Sequence, residues 1–366
     1  MIRLLAFVQK RPGLSPGQRY RLEQWAPHLR ARHGIDLEFA VFESPRTTEI
    51  LYASGHRVEK GRWLLHDTWR RRDHVRKARD YDGVVVYREA ASLGPAIYER
   101  LLVRQGTPLF FDFDDAIWIP GVGSVNGVFS RLRFQGKTAT ICRLASAVMV
   151  GNHYLADYAR RYSHNVHVVP TTIELADYPP QPPLPPVGAT QPFVITWSGS
   201  LSTLIHLEEA RAPIEALGRR RDVILRVICS EPPARPIEGV KLEFVKWRAA
   251  TEAADVGATH VGIMPLPDDE FARGKCALKG LQYMATGRPA ILSPVGVNAE
   301  IVRHGENGLL ARSERDWIDA LESLAASAEL SERLGRAGRR TVEEGFSAER
   351  SAARFAEVVK TTLGGA

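Results

Sequence analysis

Short apolar runs alternate with helix-length amphipathic stretches along the 366-residue chain, and this alternation constrains the fold more than any other feature. The runs have the length of strands, and many are rich in β-branched residues. Such a pattern is typical of βαβ units, in which helices cover buried parallel strands. The runs are IRLLAFVQ, DLEFAVF, GVVVYR, PLFFDF, AVMVGN and VHVVP, followed by FVITWSG, VILRVICS, VKLEFV, HVGIMP and PAILS. We therefore predict an α/β protein with doubly wound, Rossmann-like sheets.

A proline-rich segment divides the chain. Seven prolines lie in YPPQPPLPPVGATQP, where they remove backbone donors and stiffen an extended path. The chain is also longer than a single core usually grows. We predict a first domain over residues 1–178, a hinge over 179–192 and a second domain over 193–346. Because doubly wound sheets bind ligands at the carboxyl ends of their strands, two such domains facing each other predict a cleft site.

Composition indicates a soluble globular protein, with 44% hydrophobic and 25% charged residues. The apolar run in MIRLLAFVQK is too short for a signal peptide, and no stretch approaches a membrane span. Cys142, Cys229 and Cys276 lack CxxC spacing, which argues against a structural metal or a disulfide framework. We expect a cytoplasmic protein.

The positive charge of the chain is concentrated in its first half. Residues 1–178 hold 26 Lys/Arg and 18 Asp/Glu, a net charge of +8. The basic segment WRRRDHVRKARD, from Trp69 to Asp80, predicts a helix that is either simply solvated or attracted to anionic lipid headgroups. Nucleic acid is not an expected partner, because no recognised nucleic-acid fold accompanies this segment.

Two phosphate-binding motifs are absent and a weaker one is present. The loop VQKRPGLSPGQRYR lacks GxGxxG spacing, so a nicotinamide dehydrogenase is not expected, and the chain contains no P-loop. In WSGSLST, however, Gly199 and Ser200 follow a strand and lead into a helix predicted near Thr203. A turn of small residues before a helix exposes N–H groups to which an anion can bind, although most such turns are structural.

A second basic feature follows in the stretch PLPDDEFARGKCALKG. If a helix begins near Lys275, then Lys275 and Lys279 lie on one face close to its positive end. A diphosphate there meets ammonium and N–H groups together. The alternative is a pair of solvated surface charges.

An acidic group lies in the first half. The stretch DFDDA places Asp112, Asp114 and Asp115 at the end of a strand. Three carboxylates so close together could hold Mg²⁺ or Mn²⁺, or they could form an acidic turn and helix cap.

The segment LQYMATGRPAILSPVGVNAEIVRHGENGLLA resembles a run shared by the large retaining family of nucleotide-sugar glycosyltransferases, the glycosyltransferase family 4-like or group 1 enzymes. FFDFDDAIW and MVGNHYLADYA are similar to a branch of that family. The resemblance implies the two-domain GT-B fold, with the donor bound mainly by the second domain and a C-terminal helix over 347–366 that returns to the first domain.

The chain departs from the family at its acidic positions. Relatives usually carry two glutamates with seven residues between them, and the later one binds the ribose of the donor. Here the later position is Gln282, which can still donate a hydrogen bond, and the earlier one is Gly274. Asp269 or Glu270 could supply the earlier acid. The basic pair that usually follows the first strand of the donor domain is also missing, so we assign the diphosphate to Lys275 and Lys279.

In the first domain, DFDDA occupies the region where family members contact the transferred sugar. The resemblance therefore favours a metal-free role for Asp114 and Asp115 in contact with the sugar or the acceptor. Four further residues follow the first and third predicted strands and are candidate acceptor contacts, namely Arg19, Arg21, Arg88 and Glu89.

The function implied is metal-independent, retaining transfer of a hexose from a UDP- or GDP-linked donor, without a cofactor. The acceptor would be a glycan or lipid-linked intermediate of cell-surface glycan synthesis, made at the inner face of the cytoplasmic membrane. A catalytically silent scaffold with this fold is the alternative from another class, because the paired glutamates are lost. A nucleotide-sugar epimerase, which shares the fold, is the nearer enzyme alternative.

Overall fold

Strands formed by the predicted apolar runs pair in parallel, six in each of two units. The structure is a computed structural model that describes residues 1–51, 53, 55–119, 134, 136–182, 184–188 and 191–365. Unit 1 comprises Met1–Thr171 and Ala348–Ala366, and unit 2 comprises Thr172–Ser347. The prediction of an α/β protein with parallel sheets covered by helices is confirmed. Within the described ranges, no helix is long and apolar enough to cross a membrane.

The strands of unit 1 are arranged in the order β2-β1-β3-β4-β5-β6. Every residue of β3, β4 and β5 is buried, because helices cover both faces of the sheet. This explains why their sequences read as continuous apolar runs rather than as alternating ones. The strands are β1 Ile2–Val8, β2 Ile35–Val41, β3 Gly83–Tyr87, β4 Leu109–Phe113, β5 Ala147–Val150 and β6 Val166–Val168.

Helical segments of 3 to 21 residues connect the strands of unit 1. The connection from β1 to β2 contains π-helical turns at Arg19–Glu23 and Leu29–His33, and a 3-10 turn at Ala78–Asp80 precedes β3. The α-helices are α1 Pro16–Gln18, α2 Trp25–His28, α3 Pro45–Ile50, α4 Arg57–Lys77, α5 Ile97–Arg104, α6 Lys137–Leu144 and α7 His153–Arg160.

Unit 2 has the strand order β12-β11-β10-β7-β8-β9. Its strands are β7 Phe193–Ser198, β8 Val223–Cys229, β9 Lys241–Lys246, β10 Val261–Met264, β11 Ala290–Leu292 and β12 Leu309–Leu310. A 3-10 helix, Leu201–Ala210, follows β7. The α-helices are α8 Arg211–Gly218, α9 Glu252–Gly257, α10 Glu270–Arg273, α11 Leu278–Ala285, α12 Asn298–Ile301, α13 Glu314–Ala326 and α14 Ala328–Gly345.

The C-terminal helix α15, Ala348–Gly364, packs into the core of unit 1. Its Phe355 ring lies 5.9 Å from the ring of Trp25 on α2, measured between centroids. Both rings are fully buried together with residues of β1. The end of the chain therefore completes one helical layer of the first sheet.

Described residues of the proline-rich segment are bonded to unit 2. The Gln181 amide donates to the Thr286 carbonyl at 3.0 Å, and the Pro185 carbonyl lies 3.0 Å from His260 Nε2. Arg288 donates to the Pro182 carbonyl. These residues belong to unit 2. Residues 183, 189 and 190 of the predicted hinge over 179–192 lie outside the described ranges.

Each sheet has a topological switch point, where the connections between its strands reverse direction along the sheet. We call it the crossover point of the sheet. In unit 1 this point lies between β1 and β3, and in unit 2 it lies between β10 and β7. Connections on either side of such a point leave a crevice outside the carboxyl ends of the two strands, where doubly wound sheets bind ligands. In unit 1 the predicted site residues follow β1, β3 and β4, and in unit 2 they follow β7 and β10.

Candidate functional site

The turn after β7 has room only for glycine. A Cβ atom built on Gly199 would lie 2.6 Å from Trp197 Cη2, 2.8 Å from Thr203 Oγ1 and 2.8 Å from Lys279 Cε. Real Cβ atoms do not approach other atoms so closely. The Lys279 side chain is therefore packed directly against the backbone of this turn.

Helix α11 is fixed to the end of β7, and this places Lys279. The Ser198 amide donates to the Tyr283 hydroxyl at 2.9 Å. Tyr283 packs so closely on Gly262 of β10 that a Cβ there would lie 2.0 Å from its ring. Lys279 lies one turn before Tyr283. Its Nζ donates to Thr203 Oγ1 at 3.4 Å and lies 4.8 Å from the centre of the Trp197 ring.

The position predicted for Lys275 needs a correction. Helix α11 begins at Leu278, so Lys275 precedes the helix and does not share a helical face with Lys279. The reason is Ala277, the residue before the helix, which adopts the left-handed conformation with φ +56°. A non-glycine residue in this region is strained and must be held by its surroundings. Lys275 Nζ lies 4.1 Å from the centre of the Phe271 ring.

Both lysines influence the pKa of His206. This side chain on the 3-10 helix is buried, and burial lowers its pKa to about 4, with further contributions from the charges of Lys279 and Lys275. One imidazole therefore senses both ammonium groups. At neutral pH it is uncharged, so the positive charge at the carboxyl end of β7 comes from the lysines.

The other residues predicted to bind the sugar donor near this turn make contacts with their own neighbours in the chain. Ser200 precedes the 3-10 helix, and its hydroxyl lies 3.0 Å from that of Ser202. Asp269 caps α10 by accepting the Ala272 amide at 2.7 Å, and Glu270 is exposed in the first turn of that helix. No contact in the described structure links Glu270 to the turn after β7.

Gln282 belongs to a second, buried polar cluster of unit 2. Its side-chain amide donates to Glu252 Oε1 at 3.0 Å and to the Tyr178 hydroxyl at 2.7 Å. Glu252 also accepts from the Trp247 indole at 2.9 Å. Trp247 follows β9 directly, so the cluster is near the carboxyl end of the sheet. The assignment of Gln282 to a ribose stays a prediction.

A cluster in unit 1 forms where β3 and β4 end. The Tyr87 hydroxyl donates to Asp114 Oδ1 at 2.8 Å. Arg88 Nε donates to the same oxygen at 2.9 Å, and Arg88 Nη2 donates to Asp115 Oδ2 at 2.9 Å. The structure therefore brings three predicted site residues together, namely Arg88, Asp114 and Asp115.

Electrostatics keep this cluster ionised. Burial acts to raise the pKa of Asp114, but the charges of Arg88 and Arg21 outweigh it and hold that pKa below its usual value. Burial likewise opposes the charge of Arg88, yet Asp114 and its neighbours raise the Arg88 pKa well above the usual value. Arg88 has φ +62°, in the left-handed region. Such strain is typical of functional sites, where surrounding contacts must maintain it.

The loop after β1 packs on the same cluster. A Cβ built on Gly17 would lie 2.2 Å from the Tyr87 hydroxyl and 2.5 Å from Asp114 Oδ2. Arg19, two residues later, donates to the Tyr20 hydroxyl at 2.6 Å and is half-buried. The carboxyl ends of β1, β3 and β4 thus meet around the Asp114 carboxylate.

Arg21 is not available as predicted. It is fully buried and forms a bidentate ion pair with Asp112, with Nε–Oδ1 at 2.7 Å and Nη2–Oδ2 at 2.6 Å. Its Nη1 donates to the Val169 carbonyl at 2.7 Å. Arg21 therefore connects β4 to the end of β6 and cannot contact an acceptor in this conformation. Glu89 accepts from Lys137 at 3.2 Å.

These ion pairs bear on the metal alternative for DFDDA. Asp112 faces Arg21, whereas Asp114 and Asp115 share Arg88. Hard cations prefer several oxygen ligands, and each of these carboxylates already pairs with a guanidinium group. Across the described ranges, no group of three or more His, Cys, Asp or Glu side chains is arranged to hold a metal ion.

Comparisons with known proteins agree with the resemblance seen in the sequence. Residues 193–327 match the family model described as Glycosyl transferases group 1, which confirms that resemblance. The chain is also 32% identical over 180 residues to a D-inositol 3-phosphate glycosyltransferase of Rhodococcus erythropolis. That alignment covers 44% of this chain and 39% of the relative, so the chain matches about two fifths of the relative's length.

Solved structures show the same fold over the whole chain. A sucrose-phosphate synthase of Thermosynechococcus elongatus has a TM-score of 0.70 at 15% identity, with both chains fully covered. HepE of Anabaena, solved with UDP and glucose, has a TM-score of 0.67 at 14% identity and covers 99% of this chain and 100% of its own. The fold is GT-B, as predicted.

Four residues beside the Gly199 turn and in the unit 1 cluster were not among those predicted from the sequence. They are Gly17, Tyr87, Thr203 and His206, which adjoin the predicted residues in space. The position of Gly17 and Tyr87 after β1 and at the end of β3 was a usable signal, because strand ends at a crossover point meet. His206 gave no such signal, because its proximity to the lysines depends on the packing of α11.

Proposed function

We propose that this protein is a retaining glycosyltransferase that moves a hexose from a nucleotide diphosphate sugar, UDP- or GDP-linked, to a glycan or lipid-linked acceptor. The reaction takes place in the cytoplasm and serves cell-surface glycan synthesis. The relative named as a D-inositol 3-phosphate glycosyltransferase supports glycosyl transfer, and the structure of HepE with UDP and glucose supports a nucleotide-sugar donor.

One observation carries the proposal. Lys279 is packed against the Gly199 turn, at the carboxyl end of β7 and at the crossover point of the sheet. Backbone N–H groups of a turn and an ammonium group together form an anion site. The only glycine-restricted contact of this kind with a lysine in the described structure involves Gly199.

The chemistry follows from the charge that develops as the sugar leaves. The bond from the anomeric carbon to the diphosphate oxygen breaks, and its electron pair departs with the diphosphate. The acceptor hydroxyl oxygen forms the new bond to the anomeric carbon, and its proton passes to the departing diphosphate. Lys279 and Lys275 stabilise that negative charge, together with N–H groups of Gly199 and Ser200, while the sugar becomes oxocarbenium-like. Positioned cations of this kind lower the barrier without a covalent nucleophile.

We assign Asp114 and Asp115 of unit 1 to contacts with the sugar or the acceptor. Their ionised carboxylates can accept hydrogen bonds from sugar or acceptor hydroxyls, and Arg88 fixes their orientation. Because Arg88 already compensates both carboxylates, we propose that the reaction needs no metal ion. Activity should therefore survive EDTA, and loss of turnover that Mg²⁺ or Mn²⁺ restores would reassign the aspartates as metal ligands.

The first experiment is a thermal-shift screen of UDP-, GDP- and ADP-sugars. A donor present at about 100 times its Kd stabilises the folded state by about 2.7 kcal/mol. Transfer and hydrolysis are then assayed with the donor that binds. Normal donor binding without either reaction would favour the silent scaffold, and interconversion of the sugar without transfer would favour an epimerase.

A double substitution tests the role of unit 1. Asp114→Asn with Asp115→Asn should abolish transfer, because both carboxylates and the held conformation of Arg88 are lost, while donor binding by unit 2 persists. Asp157→Asn is the matched control, since it removes an exposed carboxylate on α7. Full activity in the double variant would exclude this assignment.

A further inference from the structure

Helix α4 carries an exposed stripe in which apolar side chains alternate with arginines. Val58, Leu65 and Trp69 are 87%, 67% and 66% exposed. Arg62, Arg72 and Arg76 are also exposed and complete the series. At 3.6 residues per turn, these six positions fall within about 80° of one another around the helix axis. Such a concentration of exposed large apolar side chains calls for an explanation.

The neighbouring helix α5 displays the same combination. Ile97 and Leu101 are 52% and 37% exposed, and Arg100 and Arg104 lie beside them at helical spacing. The two helices are in contact, because Gln105 donates to the Val75 carbonyl at 3.0 Å and Tyr98 donates to the Thr68 carbonyl. The stripes therefore form one surface, which we call the α4/α5 face.

The charge of the α4/α5 face is almost entirely positive. Its five arginines are accompanied by one exposed carboxylate, Asp73, which pairs with Arg76 at 2.9 Å. Glu99, on α5, is buried and accepts the Ala90 amide. Among the described residues, no acidic side chain lies within ion-pair distance of Arg62, Arg100 or Arg104. Arg72 lies 3.9 Å from the centre of the Trp69 ring.

We propose that the α4/α5 face binds an anionic lipid surface. Apolar side chains that insert shallowly, with arginines among them and a tryptophan at their level, are the features of an interfacial helix. Each arginine near an anionic leaflet adds attraction to the headgroups. Nucleic acid matches the charge but gives Val58, Leu65 and Ile97 nothing apolar to contact. The α4/α5 face consists of residues of unit 1 to which the proposed function assigns no role, so this proposal does not rest on that function.

The direct test is co-sedimentation of the full chain with phosphatidylcholine vesicles, with and without phosphatidylglycerol. We expect binding only to the mixed vesicles, weakening as salt is raised. Leu65→Ser with Trp69→Ser should reduce binding by removing the inserted groups. Arg72→Glu with Arg76→Glu should reduce it more, since each arginine lost costs about fivefold in affinity.

Matched controls separate this surface from general charge and hydrophobicity. Arg350→Glu with Arg354→Glu makes the same charge change on α15, in the opposite helical layer of unit 1, and Phe244→Ser removes an exposed apolar side chain on β9 of unit 2. Both controls should bind vesicles like the wild type. Donor thermal shifts, measured on every variant, should stay unchanged and also report correct folding.

Three results would overturn the proposal. One is equal binding of the wild type to neutral and mixed vesicles, or to neither. Another is equal loss of binding in the α15 control and in the α4 arginine variant. The third is a dimer in sedimentation velocity that Leu65→Ser with Trp69→Ser converts to a monomer, which would identify a second copy of this chain as the partner.

Discussion

The basic side chains of Arg21 and Lys279 differ in burial, and this difference decides whether each can bind a ligand. Arg21 is fully buried, and its guanidinium is matched by Asp112 and the Val169 carbonyl. Lys279 is half-buried beside a turn of small residues. A buried, fully bonded guanidinium has no donors left for a ligand. Lys279 lies on α11 beside the end of β7, and an anion can replace its long 3.4 Å contact with Thr203.

This difference leads to a prediction for the two lysines. Lys275→Ala and Lys279→Ala should each weaken binding of the nucleoside diphosphate by about 1.5–3 kcal/mol, because each removes a charge-assisted contact. Affinity for the nucleoside alone should hardly change. Isothermal titration with both ligands measures the difference. Lys241→Ala, an exposed position on β9, is the control, and unchanged diphosphate affinity in both variants would contradict the assignment.

His206 should make stability depend on pH. Its pKa is about 4 in the folded protein, against an ordinary value of 6.5. The unfolded chain therefore binds more protons between these values, and stability falls as pH decreases from 6.5 towards 4. His206 should account for up to about 2 kcal/mol of the loss between pH 7 and pH 5. Urea unfolding of His206→Gln should show a correspondingly smaller loss, and an unchanged pH profile would argue against the shift.

The order and type of the helices and strands were largely readable from the sequence. Eleven apolar runs predicted strands that the structure contains, because buried parallel strands must be apolar on both faces. The two-residue strand β12 was missed, since Leu309–Leu310 is too short to give a pattern. The start of α11 was placed near Lys275 instead of Leu278. The left-handed conformation of Ala277 leaves no signal in composition.

Contacts between residues far apart in the sequence could not be predicted from the sequence. Asp112 and Arg21 are 91 residues apart, and their ion pair depends on the order of the strands. From the sequence alone, Asp112 is therefore grouped with its neighbours in DFDDA, and Arg21 is predicted to contact the acceptor. The Arg88 contact with Asp114 was closer to prediction, because both residues follow neighbouring strands of the sheet.

The side chain of Arg71 bonds helix α4 to β1, to β2 and to the segment after β3. Arg71 is fully buried and donates to the carbonyls of Ala90 at 2.6 Å, Ala40 at 2.6 Å and Val8 at 2.9 Å. Burial lowers its pKa to about 9, so it remains charged at neutral pH. It thereby fixes the carboxyl ends of β1 and β2 and the segment after β3.

Arg71→Lys should consequently destabilise the protein. Lysine cannot span three carbonyls in different directions, and unsatisfied buried carbonyls cost about 1–3 kcal/mol each. We expect a loss of about 3 kcal/mol in urea unfolding. Arg62→Lys, on the exposed side of the same helix, should change stability by less than about 0.5 kcal/mol. Equal stability of the two variants would mean that water satisfies the carbonyls.

The two units divide the proposed work, because each carries its own cluster at the crossover point of its sheet. Hydrogen exchange can locate the donor without substitutions. Binding of a nucleoside diphosphate should slow exchange at residues 199–206 and 275–282 of unit 2, where the ligand orders N–H groups and the strained segment before α11. Residues 88 and 112–115 of unit 1 should exchange as before.

The nucleoside monophosphate is the control, and it should protect residues 199–206 and 275–282 less because it lacks the second phosphate. Protection centred on residues 112–115 would instead place the diphosphate against Arg88 in unit 1 and remove the lysines from the reaction.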